Sequence, residues 1–138
     1  MTRIIYNNDT MKVMSLFEAL TNAKLRDCIA YSDRFVFIVE ENQIGKAIGK
    51  SGANVKKLES MLNKKIRIVE FSSDVIQFVK NFIYPLQAKE INKENKLITI
   101  AGSDTKTKGM LIGRDSRNIK NLRSIVKRYF DIDEIKVI

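Results

Sequence analysis

Sixty-four positions beyond Ile48, the same short sequence appears again. Ile48-Gly49-Lys50-Ser51-Gly52-Ala53-Asn54-Val55-Lys56-Lys57-Leu58 falls on Ile112-Gly113-Arg114-Asp115-Ser116-Arg117-Asn118-Ile119-Lys120-Asn121-Leu122. Ile, Gly, Asn, Lys and Leu coincide, and Lys/Arg and Val/Ile pair conservatively. Gly45 and Gly109 extend the match at the same offset. Self-similarity in this order at a fixed offset marks a duplicated structural unit. The 138 residues are therefore expected to form two copies of one small domain. A unit of ~65 residues buries only about 60% of its surface and is marginal alone.

The flanking segments repeat as well. Asp9 or Thr10 can cap a helix running to about position 23, and Ser73 or Asp74 another running to about position 84, where Pro85 stops it. Each helix precedes two apolar segments that read as strands, 25–31 and 34–40 in the first half, 86–91 and 96–101 in the second. Positions 35–39 are apolar on both strand faces, so that sheet is expected to be covered on both sides. A short helix follows (43–48; 105–112), then the glycine-bearing loop, then a longer helix. Val55, Leu58, Met61 and Leu62, and again Ile119, Leu122, Ile125, Val126 and Tyr129, keep one helical face apolar. A strand closes each half, at 65–71 and 133–138. The fold class is thus α/β in the α+β sense. The expected boundaries are 1–72, with a short extension over 1–8, and 73–138.

Composition removes most chemistry. Histidine is absent and Cys28 is the only cysteine, so the usual general base, zinc sites and Ser/His/Asp or Cys/His catalysis are excluded. No pair of carboxylates stands out. No catalytic residue, metal or cofactor is expected, and the chain does not read as an enzyme. Cys28, among apolar neighbours, reads as a buried small hydrophobe. No apolar run approaches the ~20 residues a membrane span needs, and positions 1–10 hold no apolar signal core. The expectation is a cytoplasmic protein with no membrane partner.

Net charge is +9, which favours an anionic partner. The placement of that charge is more informative than its size. Positions 45–67 carry seven basic residues (Lys46, Lys50, Lys56, Lys57, Lys64, Lys65, Arg67) against Glu59 alone. Positions 104–128 carry eight (Lys106, Lys108, Arg114, Arg117, Lys120, Arg123, Lys127, Arg128) against Asp104 and Asp115. The charge gathers around each copy of the repeated motif.

In the first copy, Gly49-Lys50-Ser51-Gly52 opens a helix whose first amides lack intrahelical partners, which makes an anion site. Two glycines let a nucleic-acid backbone approach closely. Lys46, Lys50, Lys56 and Lys57 add charge. The stretch Gly45-Lys46-Ala47-Ile48-Gly49-Lys50-Ser51 mimics a P-loop, but three residues separate its glycines where that motif requires four. It also follows a helix where a P-loop follows a strand, so nucleotide hydrolysis is not expected.

A helix–Gly-x-x-Gly–helix inside a small α/β unit resembles the KH domain, whose loop clamps about four nucleotides by their backbone. With a helix and strand leading, the order looks like the type II arrangement: a three-stranded sheet packed against helices, in tandem. The tandem resembles the KH pair of the NusA family of transcription factors over about positions 9–138, best at 48–58, 69–83 and 109–135. Its short archaeal branch, lacking the polymerase-binding and cold-shock-like domains, is the nearest match. The resemblance implies binding of single-stranded RNA during transcription elongation or termination, with RNA polymerase or other transcription factors as further partners.

The family's RNA-contacting loop falls on Gly49, Lys50, Ser51 and Gly52, and in the second copy on Gly113, Arg114, Asp115 and Ser116. Lys46, Asn54, Lys56 and Lys57 around the first loop, and Arg117 and Lys120 after the second, complete the candidate set. The second loop departs from the pattern. Asp115 brings negative charge towards phosphate, and Ser116, in place of the final glycine, can instead cap the following helix. Two other classes stay open: a KH-type ribosomal or RNA-processing component, and a protein-interaction module whose degenerate loops no longer bind RNA.

Overall fold

The computed structural model describes residues 8–138. The extension expected over 1–8 lies outside the described residues, except for Asn8, which opens the first helix. The chain divides after Ser72 into two compact units. In the first, α1 (Asn8–Thr21) leads to β1 (Leu25–Ala30), β2 (Arg34–Val39), α2 (Ile44–Ile48), α3 (Ala53–Leu62) and β3 (Lys65–Glu70). In the second, α4 (Val75–Ile83) leads to β4 (Ala88–Glu94), β5 (Leu97–Gly102), α5 (Thr105–Ile112), α6 (Arg117–Tyr129) and β6 (Glu134–Val137). A single 3-10 turn, Lys50–Gly52 or Arg114–Ser116, joins the two helices that follow the hairpin. No helix among the described residues is long and apolar enough to cross a membrane.

Each unit holds one three-stranded sheet with the same pairing. β2 is central in the first, antiparallel to β1 (Cys28↔Phe37) and parallel to β3 (Phe37↔Ile68). β5 is central in the second, antiparallel to β4 (Ile91↔Ile100) and parallel to β6 (Ile98↔Ile135). Parallel neighbours need a long crossover. Here the crossover is the helix pair, so the loop between α2 and α3, or between α5 and α6, is carried at its far turn.

Periodicity fixes which faces are buried. In the first unit Phe35, Phe37 and Val39 alternate into a cluster with Phe17, Cys28, Ala47 and Leu58, and the Phe17 and Phe37 rings stack with centroids 4.3 Å apart. Cys28 is only 3% exposed. Val36 and Ile38, on the opposite face of β2, are fully buried too. In the second unit Ile119, Leu122, Ile125 and Val126 form the buried stripe of α6, with Phe78, Val79, Ile98, Ile100 and Ile135 also buried. Tyr129 meets Phe78 edge-on at 5.9 Å. Phe17, Phe35, Phe37 and Phe78 therefore serve packing; Phe71, half-buried, lies under the Arg26 guanidinium at 3.8 Å.

Element ends fall within about two residues of expectation, with one exception. α1 stops at Thr21 because Asn22 turns left-handed (φ 58°), while the Thr21 hydroxyl donates to Phe17 O and accepts from Ala23 N. Asp74 caps α4, accepting from Ile76 N at 3.0 Å. The exception is β4, expected at 86–91 but running from Ala88 to Glu94. Asn92, Lys93 and Glu94 are exposed and show no apolar alternation. Pairing to β5 and a turn through left-handed Asn95 (φ 55°) hold them extended.

Candidate nucleic-acid interface

α2 ends when Gly49 N donates to Gly45 O at 3.0 Å and the backbone at Gly49 swings to φ 78°, ψ 170°. Two left-handed residues follow, Ser51 (φ 55°, ψ 29°) and Gly52 (φ 74°, ψ 20°), before α3 begins at Ala53. Gly52, at the N-cap of α3, offers no side-chain cap. The loop is braced from within by Asn54, whose Nδ2 donates to Lys46 O at 3.1 Å.

The two glycines have different reasons to be glycine. A Cβ at Gly49 would lie 2.9 Å from the Asn54 carboxamide, so the close approach of the brace requires its absence. A Cβ at Gly52 would meet nothing within 4 Å. Gly52 therefore faces open space, where bare backbone is available to a ligand. Lys46, Lys50, Lys56 and Lys57 are all exposed. Glu59, the one acid of this stretch, is turned away to accept from Ile66 N.

The second loop repeats this backbone closely. Gly113 has φ 78°, ψ 170°, Asp115 φ 55°, ψ 31°, and Ser116 φ 61°, ψ 22°. Asn118 Nδ2 donates to Met110 O at 2.8 Å, and a Cβ at Gly113 would lie 2.7 Å from its carboxamide. Ser116 does not cap α6, contrary to the expectation. A capping residue has an extended backbone that returns its oxygen to the next turn, whereas Ser116 is left-handed and makes no such bond.

The fourteen candidate residues are thus divided between the two units. Lys46, Gly49, Lys50, Ser51, Gly52, Asn54, Lys56 and Lys57 surround the first loop, and Gly113, Arg114, Asp115, Ser116, Arg117 and Lys120 surround the second. Asn54 is a brace, since its amide has an internal partner. Its counterpart Asn118 escaped the candidate list, although its place in the repeat was the available signal. Arg123 looks like a free cation in sequence but pairs with Glu134 at 2.7 Å and donates to Ile135 O. Arg114, Asp115, Arg117, Lys120 and Asn121 line a shallow cavity of about 320 Å³. Asn121 was not anticipated as part of the site.

The KH domain family matches residues 13–75, which hold the first loop. Over 143 aligned residues the chain is 31% identical to the probable transcription termination protein NusA of Methanocaldococcus jannaschii, spanning 100% of this chain and 77% of that protein. It is 29% identical to the protein of the same name from Thermoplasma acidophilum, over 99% of this chain and 97% of that one. In three dimensions it is similar to the crystal structure of APE1850, with a TM-score of 0.76 and 28% identity over 96% of this chain and 100% of that chain. A KH match around the braced loop, and NusA proteins matched along the full chain, lead to one assignment: this protein belongs to the NusA family.

Proposed function

We propose that this chain is an RNA-binding transcription termination factor that holds single-stranded RNA through KH loops, without catalysing a reaction. Its two units act as tandem type II KH domains, 1–72 and 73–138. RNA polymerase or another transcription factor is a further partner. The observation carrying this reading is the first loop. Gly52 presents open backbone, gives the helix behind it no side-chain cap, and is surrounded by four exposed lysines.

Backbone amides at a helix start, with the positive end of the helix dipole, bind phosphate without reading sequence. Lys50 and its neighbours supply the charge. Single strands are favoured because KH loops clamp the backbone of unpaired nucleotides. KH domains and the NusA proteins named above support this reading.

Titration of labelled single-stranded and duplex RNA against the full chain tests it. Single strands should bind more tightly. Lys50→Asp with Ser51→Asp inverts the charge at the start of α3 and should weaken binding at least tenfold, about 1.4 kcal/mol. A preference for duplex, or a double variant that binds as well as the parent, would sink the proposal.

A further inference from the structure

The cavity beside the second loop contains a group that phosphate binding does not explain. Arg114, Arg117 and Lys120 suit an anion, yet Asp115 lines the same space. Among the described residues the Asp115 carboxylate forms no hydrogen bond or ion pair, although three cations share its cavity. The first loop has Ser51 at the matching position and Ala53 where the second has Arg117. The acid is thus peculiar to the second loop. It also occupies a left-handed backbone position (φ 55°) that disfavours most side chains.

An ionised carboxylate only accepts hydrogen bonds, through two oxygens side by side. It repels phosphate but matches a ligand that presents two adjacent donors. Among the RNA bases, guanine does this, with N1–H and the N2 amine on its Watson–Crick edge. Adenine and cytosine place a ring acceptor beside their one exocyclic amine, and uracil flanks its one N–H with carbonyls. About 320 Å³ is at the small end of ligand sites, a size suited to one base. Bases of single-stranded RNA splay out and expose that edge.

We propose that Asp115 reads a guanine of the bound single strand by accepting from N1–H and N2–H, while Arg114, Arg117 and Lys120 hold the neighbouring phosphates. This rests on the RNA-binding function proposed above and adds a division of labour. The first loop grips backbone irrespective of sequence, and the second selects.

The test uses the full chain and three single-stranded RNAs that differ at one position: guanosine, inosine (which lacks only the N2 amine) and adenosine. The parent should prefer guanosine to adenosine by about tenfold or more, with inosine between, as expected for a bidentate contact. Asp115→Asn keeps the size and tolerates the left-handed backbone, but puts a donor where an acceptor stood. It should reduce the guanosine preference below about twofold. A parent that binds all three RNAs equally overturns the inference. So does a variant that binds all three more tightly by one common factor, because Asp115 would then only repel phosphate. A parent that binds none of the RNAs overturns the RNA-binding function itself, which separates the two failures.

Discussion

A methyl group added at Gly49 would collide with the carboxamide of Asn54 at 2.9 Å, and one at Gly113 with that of Asn118 at 2.7 Å. Both positions also need φ 78°, which is strained for any residue with a Cβ. Gly49→Ala should therefore lower stability by about 2 kcal/mol, and Gly113→Ala by at least as much. Gly109 presents the opposite case. It lies inside α5, a Cβ there meets nothing within 4 Å, and its φ is not positive. Gly109→Ala should stabilise by about 0.5–1 kcal/mol, because alanine gives up less backbone freedom in a helix. Urea unfolding of the three variants checks the opposite signs. Ser116 falls between these cases. It holds at φ 61° what Gly52 holds at φ 74°, so Ser116→Gly should relieve up to ~1 kcal/mol of strain.

Among the elements, the two loops share a backbone trace but not a surface. Arg114→Asp should cost less RNA affinity than the Lys50/Ser51 double change, because Asp115 already offsets the charge of its loop. The reverse ranking, measured by direct titration of folded variants, would make the second loop the principal grip. α5 carries a pH-dependent device of its own. Asp104 accepts from Thr107 N at 2.7 Å, and this backbone hydrogen bond holds the carboxyl below its ordinary value of 3.8. A depressed carboxylate stabilises the fold above its ordinary value, and that contribution disappears as pH falls through the lowered value. Asp104→Ala should lower the thermal midpoint at neutral pH, and the gap to the parent should close in strong acid.

Most of this element order was legible because the 64-residue offset doubled every weak signal. The end of β4 was not, since Asn92, Lys93 and Glu94 are held by backbone pairing that leaves no trace in hydropathy. Nor was the left-handed pair in each loop visible, because Ser51 and Asp115 are residue types common in many conformations. Gly49 and Gly52 announced a site, but only three dimensions separate the glycine that accommodates the brace from the one that faces outwards.

Across the whole molecule, a net charge of +9 concentrated at two loops makes binding a matter of counterion release. Each neutralised phosphate contributes about −0.7 to the slope of log K against log salt for single strands, so roughly three to five contacts should give about −2 to −3.5. A flat response across a salt titration would mean that the lysines are only solvated. The burial of Cys28, 3% exposed and the chain's only thiol, has a practical consequence for such measurements. The folded protein should therefore be silent towards thiol reagents, and having no tryptophan it is equally quiet in the tryptophan fluorescence window. Ser60 and Ser124 occupy matching, exposed places on α3 and α6. Replacing either with cysteine would put one dye at one chosen domain, and the two labelled proteins would report separately which half meets RNA first.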